Sequence, residues 1–258
     1  MKGRSPMSDS KQPTVFHVTH WKAGSQWVYG ILEACAPARI VKPKVKVAHF
    51  FEDPIVPGMI YPTVYTARNR FRSVLWPDDK PSLVENARTF VVIRDLRDAM
   101  ISLYFSLKVS HPLISKAVEE GHQKLNELKT EEEGLMYIIN ERGQASANIQ
   151  RSWLRAPETE ALFLRYEDLI ADEQGGFAKI INHCQIDVSP SRLTQIVNDN
   201  SFKNRAGRKP GEEDVTSHYR KGVSGDWQNH FTDNIKAAFK EKFGQILIDT
   251  GYEKDMNW

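Results

Sequence analysis

Apolar positions along this chain fall in short runs that alternate with helical spacings. Thr14–Thr19 (TVFHVT) reads as a buried strand, because Val15, Phe16 and Val18 crowd six residues. The period then changes. Trp27, Val28, Ile31, Leu32 and Cys35 recur at helical spacing through Ser25–Ala36, and Pro37 closes the segment. Val45–Phe51 is a second short strand candidate, and Tyr61–Phe71 reads as a strand running into a helix start. Thr89–Ile93 (TFVVI) is an unbroken run of strand formers. In Asp95–Leu107 the positions Leu96, Met100, Leu103, Tyr104 and Leu107 share one helical face. Lys116–Leu128 and Glu132–Trp153 are two longer helical patterns, and Ala161–Arg165 (ALFLR) returns to strand. Gly176–Cys184 is helical. Ser189 and Pro190 supply an N-cap and a first-turn proline for a helix to Asn198, and Thr232 caps a last helix over Asp233–Asp249. Residues 203–226 carry many Gly, Pro and charged residues and read as a long loop, a feature that in a compact domain is usually functional.

Strands that alternate with helices predict an α/β fold: one central parallel sheet flanked by helices on both faces, with helical insertions. The expected organisation is a flexible leader over residues 1–13 and a single domain over residues 14–258. Ligands of such sheets sit outside the carboxyl ends of the strands. Lys22, Arg94 and Tyr166 each follow a predicted strand, so they are expected along one edge although far apart in sequence.

The chemistry begins at the first strand–helix junction. Lys22, Gly24 and Ser25 occupy a tight segment that aims backbone N–H groups and a helix N-terminus at an anion. The spacing is not that of a Walker A loop, because Lys22 precedes Gly24. Arg94 and Ser102 lie a little over two helical turns apart and can share a target, with Arg94 pairing to Asp95 or Asp98 as the plainer alternative. Arg220-Lys221-Gly222 adds two cations beside a glycine that lets the backbone approach a dianion.

Composition narrows the picture. The 258 residues are 40% hydrophobic and 26% charged, which suits a globular domain with a sizeable core. A formal net charge of +2 argues against a nucleic-acid binder. The two cysteines, Cys35 and Cys184, form neither a metal-ligand spacing nor a disulfide framework. The sequence has no apolar run of the ~18 residues a membrane span requires and no signal-type N-terminus, so the expected setting is cytoplasmic.

Taken together, these segments resemble the sulfotransferases. Lys22-Ala23-Gly24-Ser25-Gln26-Trp27 resembles the family's 5′-phosphosulfate loop, with Thr19, Lys22, Gly24 and Trp27 in register. Arg94 with Ser102 resembles its 3′-phosphate motif, and Tyr166-Glu167-Asp168 its Y-E-D segment. Arg220-Lys221-Gly222 followed by Gly225-Asp226-Trp227 resembles the R-K-G-x-x-G-D-W signature. The resemblance runs in family order from residue 14 to about 232 and implies a P-loop-NTPase-like sulfotransferase fold. It also implies an enzyme that transfers a sulfuryl group in line from 3′-phosphoadenosine 5′-phosphosulfate (PAPS) to a hydroxyl or amine of a small-molecule or glycan acceptor, leaving 3′-phosphoadenosine 5′-phosphate (PAP).

On this resemblance the loop Lys22, Ala23, Gly24, Ser25 and Gln26 holds the 5′-phosphosulfate. Arg94, Ser102, Arg220, Lys221 and Gly222 hold the 3′-phosphate. Trp27 and Phe202 sandwich adenine, and Tyr166 reaches its edge. Lys22 stabilises the departing phosphate, and no metal is required. The family's K-x-H is missing, since Thr66-Ala67-Arg68 contains no histidine. His49 is the favoured base, with Glu52 and His20 as alternatives. A dimer segment common in the cytosolic branch is absent from residues 232–258, which leaves the oligomeric state open. Two other readings stay open here: a kinase, and a nucleotide binder without catalysis.

Overall fold

The structure, a computed structural model, describes residues 12–42, 53–77 and 83–258. The strand candidate Val45–Phe51 lies outside these residues, as do His49, Glu52 and most of the expected leader.

Four strands form one parallel sheet: β1 (Thr14–Thr19), β2 (Ile60–Val64), β3 (Ala87–Ile93) and β4 (Ala161–Arg165), in the order β2-β1-β3-β4. Parallel neighbours need crossovers, and the helical segments supply them. Successive residues of a strand face opposite sides, and the sheet is apolar on both. Val15, Phe90 and Val92 point to the face covered by α1 (Ser25–Cys35), α8 (Glu173–His183) and α9 (Pro190–Asp199). Phe16, Val18, Val91 and Ile93 point to the other face, covered by α2 (Arg68–Leu75) and the end of α6 (Gly143–Trp153). A third, purely helical core joins α3 (Leu96–Phe105), α5 (Glu131–Tyr137) and α11 (Asp233–Asp249) through Met100, Tyr104, Leu135, Ile139, Phe239 and Phe243.

Caps mark the helix starts. Asp95, Ser189 and Thr232 each accept a backbone N–H of the first turn of α3, α9 and α11. Thr130 and Glu133 form a reciprocal capping box on α5.

Several boundaries differ from the sequence expectation. The pattern over Glu132–Trp153 is one helical run in which a π turn, Ile138–Arg142, separates α5 from α6. A second π turn, Ser106–Ser110, extends α3 before α4 (Lys116–Glu127). A short helix, α7 (Tyr166–Ala171), follows β4 directly, and α8 begins at Glu173 instead of Gly176. The long loop opens with α10 (Phe202–Ala206).

In this strand order the chain turns outward in opposite directions from β1 and β3, so a crevice opens between their carboxyl ends. Lys22 follows β1 and Arg94 follows β3.

Candidate functional site

The loop after β1 is held in a conformation that ordinary residues avoid. Lys22 has φ 67° and Gly24 φ 83°, both left-handed. A Cβ on Gly24 would stand 2.9 Å from the Tyr166 ring, so only glycine fits under that tyrosine. Gly24 is the N-cap of α1, whose first-turn N–H groups therefore open toward the crevice. Ser25 is buried and its hydroxyl shares a 2.9 Å hydrogen bond with Tyr65, which stacks on Trp21.

Arg94 ties the two strand ends together. Its Nη1 donates to the Lys22 carbonyl at 3.2 Å and its Nη2 to the Val223 carbonyl at 3.1 Å. The guanidinium lies 4.6 Å from the Tyr166 ring centroid and 3.8 Å from the Asp98 carboxylate. The expected alternative pairing thus exists for Asp98, while Asp95 pairs with Arg97.

Asp98 has a further task. Its two oxygens accept the backbone N–H groups of Gly225 and Trp227 at 2.7 and 2.9 Å, which pins the Gly225-Asp226-Trp227 turn to α3. Asp226 in turn receives Lys221 at 2.6 Å and Arg220 at 2.5 Å. Burial works to raise the Asp226 pKa. Hydrogen bonds from His230, Lys221, Asn229 and Arg220 outweigh it and hold the carboxyl well below the usual range. The carboxylates fix the cations of this strap in place. Gly222, at φ 67°, lies so close to Phe202 that a Cβ there would overlap the ring.

These groups surround one cavity of about 1790 Å³. Lys22, Gly24, Ser25, Gln26, Trp27, Arg94, Ser102, Tyr166, Phe202, Arg220, Lys221 and Gly222 all line it, whereas Ala23 is fully buried beneath the loop. His49 lies outside the described residues. The far half is walled by Leu107 and Ile114 and by residues of α4 and α6, among them Val118 and Ala145.

Its electrostatics favour an anion. Burial, then Arg94 and Arg220, pull the Lys22 pKa down to about 8. Two buried donors, Arg94 Nε and Trp27 Nε1, have no hydrogen-bond partner among the described residues. Trp27 meets Tyr166 and Phe177 edge-on, at 6.0 and 4.9 Å between centroids. Among the described residues no cluster of His, Cys, Asp or Glu could hold a metal.

His20 has no nitrogen left for a substrate. Its Nδ1 donates to the Trp21 carbonyl at 3.0 Å, and its Nε2 accepts from the Arg94 N–H at 3.1 Å and from Gln150 at 2.8 Å. The ring is fully buried. Burial first, and Arg94 further on, set its pKa at about 4 against the hydrogen bonds. It joins β1, β3 and α6 as a neutral tie.

Sequence reasoning passed over Tyr65 and Val223, and it named Asp98 only as a partner for Arg94, not as the anchor of the 225–227 turn. Tyr65 carried a usable signal: it follows β2 as Lys22 follows β1 and Arg94 follows β3. Asp98 and Val223 act through contacts about 130 residues apart in the chain, which no local pattern announces.

The sulfotransferase domain family matches residues 12–251. Human sulfotransferase 1C2 is 25% identical over 92% of this chain and 83% of its own. A 3-alpha-hydroxysteroid sulfotransferase of Cavia porcellus is 26% identical over 92% of this chain and 84% of its own. Among solved structures, mouse sulfotransferase SULT7A1 complexed with PAP aligns with a TM-score of 0.69 at 19% identity, over 95% of this chain and 88% of that one. Retinol dehydratase with retinol and PAP aligns at 0.58 and 13%, over 93% and 83%. No helix among the described residues is long and apolar enough to cross a membrane. With its parallel sheet, its anion-seeking crevice and a family match that spans nearly the whole chain, this protein belongs to the sulfotransferase domain family and is a transferase that draws its sulfuryl group from PAPS.

Proposed function

We propose that the crevice between β1 and β3 grips PAPS at both anionic ends and presents its sulfuryl group to a small hydroxylated acceptor. One observation carries this reading: Lys22 and Arg94 from two strand ends, and Arg220 and Lys221 from the strap, face one cavity whose wall also holds Trp27 and Phe202.

When bound, PAPS supplies an activated sulfuryl group whose leaving group is the 5′-phosphate. Lys22, Ser25, Gln26 and the N–H groups opening α1 hold that end. Arg94, Ser102, Arg220, Lys221 and Gly222 hold the 3′-phosphate. Trp27 and Phe202 flank the adenine, and Tyr166 packs over Gly24 at its edge. Negative charge builds on the departing phosphate oxygen, so the Lys22 ammonium stabilises the transition state more than the bound donor. Leu107, Ile114 and Val118 give the far half an apolar surface beside the polar Arg142, Gln144 and Asn148, which suits an acceptor whose hydroxyl sits on an apolar body, such as a substituted phenol.

Transfer of labelled sulfuryl from PAPS to a panel of phenols tests the reading. Wild type should label the phenols, and Lys22→Ala should lose turnover about a hundredfold or more, a loss far larger than the one it shows in PAP affinity. An equal loss of PAP binding and turnover would remove Lys22 from this role.

A further inference from the structure

We propose that His218 is the general base that takes the acceptor proton, so that this chain carries its base on the same strap that holds the donor. The inference rests on the sulfuryl-transfer reading.

Geometry singles out His218. It is exposed, it lines the main cavity, and beside that cavity it shares a crevice too tight for a water with Lys22, Ser102 and Arg220. Neither ring nitrogen has a hydrogen-bond partner among the described residues; its one ring neighbour is Tyr219, edge-on at 5.7 Å. The backbone around it is pinned. The Ser217 N–H donates to the Asp214 carbonyl at 3.2 Å, the Tyr219 carbonyl accepts Arg208 at 2.8 Å, and the Asp214 N–H donates to the Arg220 carbonyl at 2.9 Å. A free imidazole on a fixed support beside Lys22 is where an incoming hydroxyl needs an acceptor.

Other candidates fit less well. His20 has both nitrogens occupied. His111 also lines the cavity, its Nδ1 bonded to the Pro112 carbonyl at 2.8 Å, but it does not line the tight crevice at Lys22. The charged and titratable groups around His218 are Lys22 from the β1 loop, His111 after the π turn, and Arg220 from its own strap. Surrounding protein, then Lys22 and His111, hold its pKa at about 4, so the imidazole is neutral at physiological pH. Anionic charge laid against Lys22 and Arg220 offsets that repulsion and makes the ring more basic when the donor is in place.

The step balances. The acceptor oxygen bonds to sulfur while the bond from sulfur to the 5′-phosphate oxygen breaks. That electron pair leaves on the phosphate, and the acceptor proton passes to His218 and then to water at the cavity mouth.

Two measurements test this. In the first, NMR follows the His218 imidazole with and without PAP; its pKa should rise on binding, and an unchanged pKa overturns the proposal. In the second, His218→Asn and wild type are compared at pH 8 on 4-nitrophenol, largely ionised there, and on 4-ethylphenol, which is not. The variant should lose about a hundredfold or more in kcat on 4-ethylphenol, little on 4-nitrophenol, and keep its PAP affinity. Equal losses on both phenols, or a loss confined to His111→Asn or His49→Asn, overturn it. Failure of wild type to label either phenol while PAP still binds would count against the acceptor reading, and the imidazole titration would then decide His218 alone.

Discussion

Arg94 donates a 3.2 Å hydrogen bond to the carbonyl of Lys22, so the residue just after β3 sets the backbone of the loop that follows β1. Lys22 sits at φ 67°, a conformation that costs energy unless its surroundings impose it. Arg94 is part of what imposes it. The same guanidinium reaches Val223 in the strap, which makes it the joint between the three segments of the site.

Arg94→Lys tests that joint. Lysine keeps the charge but not the planar fork, so it cannot serve the Lys22 carbonyl, the Val223 carbonyl and a phosphate together. Calorimetry should show PAP binding weakened about tenfold to a hundredfold in Arg94→Lys, and at least as much in Arg94→Ala. Wild-type affinity in Arg94→Lys would mean that charge alone suffices.

Lys22 makes binding depend on pH. With its pKa lowered to about 8, it loses its proton above that pH in the free protein, while a bound anion restores it. The phosphates of PAP are already ionised there, so PAP affinity should fall as pH rises from about 8 to about 10, with proton uptake on binding. Lys22→Met should flatten the profile. A wild-type affinity that is constant over that window would contradict the assignment.

Gly24 tests the close approach. Alanine at φ 83° is strained, and its Cβ would press on Tyr166. Gly24→Ala should lose about 1–3 kcal/mol of stability in denaturant titrations and weaken PAP binding, since Tyr166 must move off the loop. Unchanged stability would mean that the loop relaxes without cost.

His17 and His20 should make the fold acid-sensitive. Both are fully buried, and burial lowers each pKa from 6.5 to about 4. Below pH 6.5 the unfolded chain gains protons that the folded chain refuses until about pH 4. Each histidine therefore contributes stability that is present above pH 6.5 and lost as pH falls to about 4, on the order of 3 kcal/mol apiece. His17 stacks on Phe90, bonds the Pro62 carbonyl and does not itself line the cavity, so His17→Leu is the cleaner test of the two. Denaturant titrations at several pH values should show a smaller acid loss in His17→Leu than in wild type; equal losses would contradict the account.

Much of this was legible in local pattern. The runs TVFHVT and ALFLR became β1 and β4 at the expected bounds, and Ser189 and Thr232 cap the helices they announce. Period and cap chemistry are properties of a few adjacent residues, so sequence reads them well. The π turn at Ile138–Arg142 keeps a helical pattern, and so it left no break to see. Helix α7 is only six residues long and starts where β4 stops, too short to show a period. Lys22, Arg94 and Lys221 could be placed after their strands or in their loop, but not the ties that aim them. Asp98 holding the 225–227 turn and Glu167 accepting Tyr252 at 2.6 Å depend on folded distance alone.

The double-ended grip is tested most directly by comparing three nucleotides by calorimetry at one pH: adenosine 3′,5′-bisphosphate, adenosine 5′-monophosphate and adenosine 3′-monophosphate. The account predicts that the bisphosphate binds about a hundredfold or more tighter than either monophosphate, and that Arg94→Ala brings it close to the 5′-monophosphate. A bisphosphate that binds wild type no better than the 5′-monophosphate would contradict it.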